Sequence, residues 1–146
     1  MSQRFRLLNE AQVKALLPMD ALIQAMEDAL ARFSSGDVLQ PVRTVLTVGP
    51  TKAFFGVMPA YTPQPARLGA KLVTVFNQNE LRGLPSHLAT ILLLDPDTGA
   101  LVALLDVDER RQPLELGLQA GTWMFWVCLV TLERLRTPPS GDGGPL

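Results

Sequence analysis

The sequence predicts an α+β domain over residues 1–106, with two N-terminal helices packed on a mixed or antiparallel sheet. Three observations carry this. Leu22, Ala25, Met26, Ala29, Leu30 and Phe33 recur at i, i+3, i+4, i+7, i+8 and i+11, one stripe of a 3.6-residue helix. Short β-like runs then follow between positions 42 and 106, separated by Gly and Pro. Helices first and strands afterwards is the order of an α+β domain rather than of alternating α/β units.

Composition agrees and narrows the function classes. The 146 residues suit one domain with a tail, and 47% hydrophobic against 18% charged residues is globular rather than disordered. A net charge of -1 without any basic run leaves no electrostatic footprint for nucleic acid. The one Cys excludes an internal disulfide framework and argues against a metal cluster. The start, MSQRFRLLNEAQ, lacks the apolar core of a signal peptide, so a cytoplasmic protein is expected.

In chain order, Asn9 caps a short helix with Gln12 three residues on, and Val13, Leu16 and Leu17 form its apolar edge before Pro18 ends it. The second helix spans about 20–33, and Gly36 is its C-terminal stop. VRTVLTV (42–48) loosely alternates and meets the turn residues Gly49 and Pro50. AFFGVMPA (53–60) is apolar, with Gly56 marking a bulge or a close backbone approach. Pro63 and Pro65 make 61–67 read as a loop. Strands at 68–76 and 86–95 flank the polar loop NQNELRGLP, and the turn DPDTG feeds a fifth strand, 100–106.

Residues 107–136 read as a separate, helical segment. Its stretch 116–132 is uncharged and holds both Trp residues. That length sits at the bottom of the roughly 17–25 residues of a membrane helix. Gly117, Gln119 and Gly121 argue against a span, so burial in a core or dimer interface is expected. The end, 137–146, reads as a disordered tail.

Within the strand 68–76, Lys71 shares a face with Val73 and Val75. On a covered face an ammonium costs several kcal/mol unless an anion meets it. A substrate carboxylate and an internal carboxylate such as Glu80 both satisfy that requirement. His87, the only His, opens one strand and Arg43 opens another; by themselves they read as ordinary surface residues.

The succession LQPVRTVLTV, FFGVMPAY, AKLVTVF, LPSHLATILLLDPDTGALVALLD, in this order over about residues 5–106, resembles the N-terminal half of the ornithine cyclodeaminase/mu-crystallin family. The phrases QPVRT, GVMPAY and PSHLAT are most similar to its ketimine reductase mu-crystallin branch. The resemblance implies two-domain, NAD(P)H-using enzymes or binders, whose N-terminal segment builds a substrate and dimerisation domain ahead of a Rossmann domain. It implies a small carboxylate-bearing cyclic imine or amino acid as ligand, and a homodimer. Arg43 in PVRT matches the arginine that grips the substrate carboxylate, which a planar guanidinium holds through two parallel hydrogen bonds. Met58 in GVMPAY matches a pocket-wall position. Lys71 in AKLVTVF matches the catalytic lysine, which contacts the carboxylate or assists proton transfer. His87 in PSHLAT matches a pocket histidine near the ligand.

The chain also departs from the family. After Asp106 the pattern ITxxRTAA is replaced by VDERRQPLELGLQAG, and Arg110 and Arg111 lack the threonine and alanines that would transfer a role to them. No GxGxxG follows a strand. The expectation is a truncated, spliced or frame-shifted form that keeps the substrate-side half, lacks the Rossmann domain and binds no cofactor alone. Two functions stay open: a form of an NAD(P)H-dependent ketimine (cyclic imino acid) reductase, and a non-catalytic dimerisation or ligand-binding module. The second includes a module for a thyroid-hormone-type ligand, and an ornithine cyclodeaminase-type fragment is a further alternative. A membrane-tethered fragment through 116–132 is the third and weakest reading.

Overall fold

The computed structural model describes residues 4–16 and 18–107. The helical segment and tail expected beyond residue 107 lie outside the described residues. Eight strands and helices and one 3-10 turn follow in order: β1 (Arg6–Leu8), α1 (Glu10–Leu16), α2 (Met19–Ser35), β2 (Thr44–Val48), β3 (Ala53–Pro63), β4 (Ala66–Val75), a 3-10 helix (Asn77–Arg82), β5 (His87–Leu94) and β6 (Leu101–Val107).

The first helix begins at the cap the sequence places, and the second, Met19–Ser35, ends at the glycine it names. The Asn9 N–H donates to Gln12 Oε1 and the Gln12 N–H donates to Asn9 Oδ1, each at 3.0 Å, a reciprocal capping pair that satisfies two otherwise orphaned donors. α2 ends at Gly36, whose φ of 82° is the left-handed conformation that glycine adopts without a steric cost. The N–H groups of Gly36 and Asp37 then donate to the carbonyls of Phe33 and Arg32.

The sheet has six strands in the order β1-β6-β5-β4-β3-β2. Every pairing is antiparallel except β1 with β6, which is parallel, so the sheet is mixed. β1 is the strand that sequence reading does not find. Three residues cannot display a period-2 pattern, and this strand exists only because β6 arrives beside it from nearly a hundred residues later.

The loop expected at 61–67 is instead a tight hairpin. β3 runs to Pro63 and β4 starts at Ala66, the two being paired, with a cis Gln64–Pro65 bond in the turn. Pro63 and Pro65 punctuate only the turn itself, and the Thr62 hydroxyl donates to the Pro65 carbonyl at 2.8 Å. Gly56 makes no bulge, since the β3–β4 register continues through it. Its role is close approach: a Cβ there would stand 3.0 Å from Val73 Cγ1. The DPDTG turn forms as read, with Asp95 Oδ1 accepting from the Asp97 and Thr98 N–H groups and the Thr98 hydroxyl.

One sheet face carries Met58, Ala60, Lys71, Val73, Ala89, Ile91, Leu93, Ala103 and Leu105, all buried. Beside β6 this face continues onto Leu8 of β1, and over β5 and β6 it is closed by Val13 and Leu16 of α1. Over β3 it is closed by Met26 and Ala29 of α2 together with Val38. The α2 stripe is buried less evenly than its periodicity predicts. Ala29 is 4% exposed, whereas Leu30 and Phe33 keep 50% and 45% of their surface. The helix therefore meets the sheet along a narrow line through Met26 and Ala29.

Candidate functional site

The site follows from strand register. β3 sets Met58 opposite Lys71, β5 sets Ile91 on the other side of Lys71, and β6 sets Leu105 beyond Ile91. Directly opposed residues share a face, so these four side chains form one row across the sheet beneath the helices. Lys71 is 2% exposed in that row, between Met58 at 7% and Ile91 at 1%. A long cationic side chain is thus held on the inner face, where it is not without an interaction partner.

Arg43 is exposed and immediately precedes β2. β2 pairs Thr44 with Val57, and one further step of that antiparallel register brings position 43 opposite Met58. Arg43 therefore stands at the solvent end of the row that Lys71 occupies inside. Two strand spacings separate their Cα positions, about 10 Å.

His87 opens β5 opposite Val75 and is exposed. It lies on the same face as Lys71 but four residues along the strand from Ile91, about 13 Å away. The structure brings Met58 and Lys71 together as neighbours, sets Arg43 at their margin, and leaves His87 at the rim. Glu80, the internal carboxylate the sequence offers, is exposed in the 3-10 helix beyond the end of β4 and off the sheet face.

Two polar groups emerge that sequence reading misses. Arg67 is 7% exposed and lies four residues before Lys71 on the same face, opposite Thr62. Reading 61–67 as a loop hides it; once the hairpin is recognised, its parity with Lys71 assigns it to the inner face. The second is Gln40. Leu39 and Tyr61 form a two-hydrogen-bond bridge, each N–H donating to the other's carbonyl at 2.9 Å. Continuing that pairing sets Gln40 opposite Ala60. Its Oε1 is buried and, among the described residues, has no hydrogen-bond partner. The neighbouring Leu39 is 66% exposed, so no hydrophobic run betrays this segment. Among the described residues no group of three or more His, Cys, Asp or Glu is placed to hold a metal. Among them, also, no helix is long and apolar enough to cross a membrane.

Comparison with known proteins gives a consistent picture. The sequence model of the ornithine cyclodeaminase/mu-crystallin family matches residues 4–109. Ketimine reductase mu-crystallin of Rattus norvegicus is 47% identical over 88 residues, covering 58% of this chain and 28% of the rat protein. A Delta(1)-pyrroline-2-carboxylate/Delta(1)-piperideine-2-carboxylate reductase of Azospirillum brasilense is 34% identical over 116 residues, 75% of this chain and 36% of that protein. Among solved structures, the Delta(1)-pyrroline-2-carboxylate reductase of Thermococcus litoralis, in complex with NADH and L-proline, superposes with a TM-score of 0.65 at 35% identity. That match covers 70% of this chain and 32% of the Thermococcus chain. The chain thus spans about a third of the length of the relatives it matches.

Proposed function

The chain belongs to the ornithine cyclodeaminase/mu-crystallin family, and from that premise we propose that it holds the substrate-side half of a cyclic-imine reductase. The observation that carries the reading is the single transverse row formed by Arg43, Met58 and Lys71, with the lysine covered and the arginine at the solvent margin. Arg43 and Lys71 grip the carboxylate of a small cyclic imino acid from two sides, and Met58 forms the floor between them. A guanidinium supplies orientation through paired hydrogen bonds, and the ammonium adds a second charge-assisted contact. Lys71 is the catalytic residue of this reading: its ammonium holds the carboxylate and so fixes the C=N bond in place for the incoming hydride. His87 closes the rim of the pocket. Relatives that reduce pyrroline- and piperideine-carboxylates support this substrate class.

In such reductases a nicotinamide supplies the hydride. The described residues do not fit a dinucleotide: α1 follows Asn9 and α2 follows Pro18, so neither opens from a glycine-rich loop that would cradle a pyrophosphate. No step through that group is therefore assigned to these residues. We read the described residues as a ligand-binding half that needs a nucleotide-binding partner or domain for turnover. Two copies are expected to associate, because among the described residues β2 is an edge strand with all five residues exposed and no strand on its outer side.

The test is Lys71→Met, which keeps most of the bulk and removes the charge. Calorimetric titration of the folded variant with Δ1-pyrroline-2-carboxylate should show binding weakened by about 1.5–3 kcal/mol. If the variant loses the fold while folded survivors keep their affinity, Lys71 is a structural cation and the reading fails.

A further inference from the structure

The unpartnered acceptor at Gln40 carries information that the cationic pair does not. Arg43 and Lys71 explain the recognition of a carboxylate and leave the rest of the ligand unread. Gln40 belongs to the same short segment as Arg43 and lies on the same side of β3. Its register position is opposite Ala60, one row along from Met58; the pairings Leu39–Tyr61 and Thr44–Val57 differ in register by one residue, so an extra residue between them leaves both Gln40 and Arg43 on the inner-face side. Val38, two residues earlier, packs on the cluster of Ala29 and Ala60. Alternation along an extended segment sends the Val38 and Gln40 side chains the same way, toward the inner face. The next row is lined by the smallest side chains of the sheet, Ala60 opposite Gly69. The carboxamide thus reaches the inner face where neighbouring strands contribute little bulk.

A buried carbonyl oxygen without a donor is costly, of order 1–3 kcal/mol, and such groups are rare in folded proteins. Gln40 Oε1 is such a group among the described residues. An acceptor is met by a donor, which excludes the carboxylate of the ligand and selects an N–H. In a cyclic imino or amino acid the ring nitrogen is bonded to the carbon that carries the carboxylate. A pocket holding that carboxylate over Met58 therefore brings the nitrogen within one row of its anchor, on the scale of the 6–7 Å that separates Met58 from Ala60 along β3.

Resting on the carboxylate-site reading above, we propose that Gln40 makes the site selective for a ring nitrogen that bears a hydrogen, its Oε1 accepting the N–H of a cyclic iminium or amine while Arg43 and Lys71 hold the carboxylate. The same contact favours the protonated imine, the form that accepts hydride readily, over the neutral one. Gln40 is thus a specificity-determining residue, and its loss leaves recognition of the carboxylate in place.

Two planar probes of nearly equal shape separate these roles. Pyrrole-2-carboxylate presents a ring N–H, and furan-2-carboxylate presents an acceptor oxygen at the same position. Calorimetric titration of the full 146-residue chain should find pyrrole-2-carboxylate bound about tenfold more tightly, the worth of one buried neutral hydrogen bond. Gln40→Met should bring the two affinities within twofold of each other by weakening only the pyrrole. Gln40→Glu, which keeps an acceptor of the same length, should weaken both probes yet retain the preference. Equal affinities in the unmodified chain overturn the proposal, as does a preference that survives Gln40→Met. If Gln40→Met does not fold, Gln40→Glu decides, and loss of the preference there counts against the assignment. The underlying reading is judged separately by Lys71→Met, which should weaken both probes alike. If neither probe binds the unmodified chain at millimolar concentration, both readings fall together.

Discussion

Gly69 offers the sharpest test of the packing that holds Lys71. It lies two residues before the lysine on the same face of β4 and is opposed by Leu93 of β5. A Cβ added at Gly69 would stand 2.6 Å from the Leu92 carbonyl oxygen and 3.6 Å from Leu93 Cδ2. Ordinary contact begins near 3.4 Å, so the two strands must separate by about 0.8 Å at that point (3.4 − 2.6). The obstacle is backbone, which cannot rotate away as a side-chain tip can. Overpacking of this kind costs about 1–3 kcal/mol. Replacing glycine in a strand interior returns roughly 0.5–1 kcal/mol of chain entropy. Taken at the middle of each range, the net expectation for Gly69→Ala is a loss of about 1.25 kcal/mol (about 2 − 0.75), which in a domain of about 100 residues lowers Tm by roughly 5–10 °C. Gly56→Ala is the internal control. Its Cβ meets Val73 Cγ1 at 3.0 Å, a methyl that can turn aside, so its effect should be smaller than that of Gly69→Ala. Thermal unfolding followed by circular dichroism reads both variants. A Gly69→Ala protein whose Tm lies within 1 °C of the unmodified chain, or above it, would refute the close β4–β5 approach and with it the stated register around Lys71.

Two further outcomes bear on the functional reading. The 146-residue chain should show no binding of NADPH in calorimetry at micromolar concentrations, because the described helices lack a glycine-rich entry loop; micromolar affinity would place a nucleotide site in this chain and overturn that part of the proposal. Sedimentation should show self-association, and a Val45→Lys variant, which charges the exposed β2 edge, should shift the chain toward monomer; an unmodified chain that sediments as a clean monomer counts against pairing.

Much of this protein was decided locally and could be read from the chain. Asn9 with Gln12 starts a helix, Gly36 stops the next one, and DPDTG turns, because each signal acts through hydrogen bonds or dihedral preferences spanning only a few residues. The parity that joins Lys71 to Val73 and Val75 is likewise a property of one strand, and all three are indeed buried together. The motifs around Arg43, Met58, Lys71 and His87 were enough to point to the family that the comparisons then established.

What remained belongs to pairings between distant segments. β1 becomes a strand only when β6 lies beside it, and no pattern of three residues announces that. Two prolines suggested a loop where the chain makes a hairpin, and the longer β4 that results carries Arg67 into the interior. Lys71 could be recognised as a cation needing a partner, but the sequence offered a substrate and Glu80 alike. Only the fold sets Glu80 off the sheet and brings position 43 into register with Met58. Gln40 was silent in the sequence for the same reason: a side-chain oxygen becomes a demand for a donor only once the fold removes it from water.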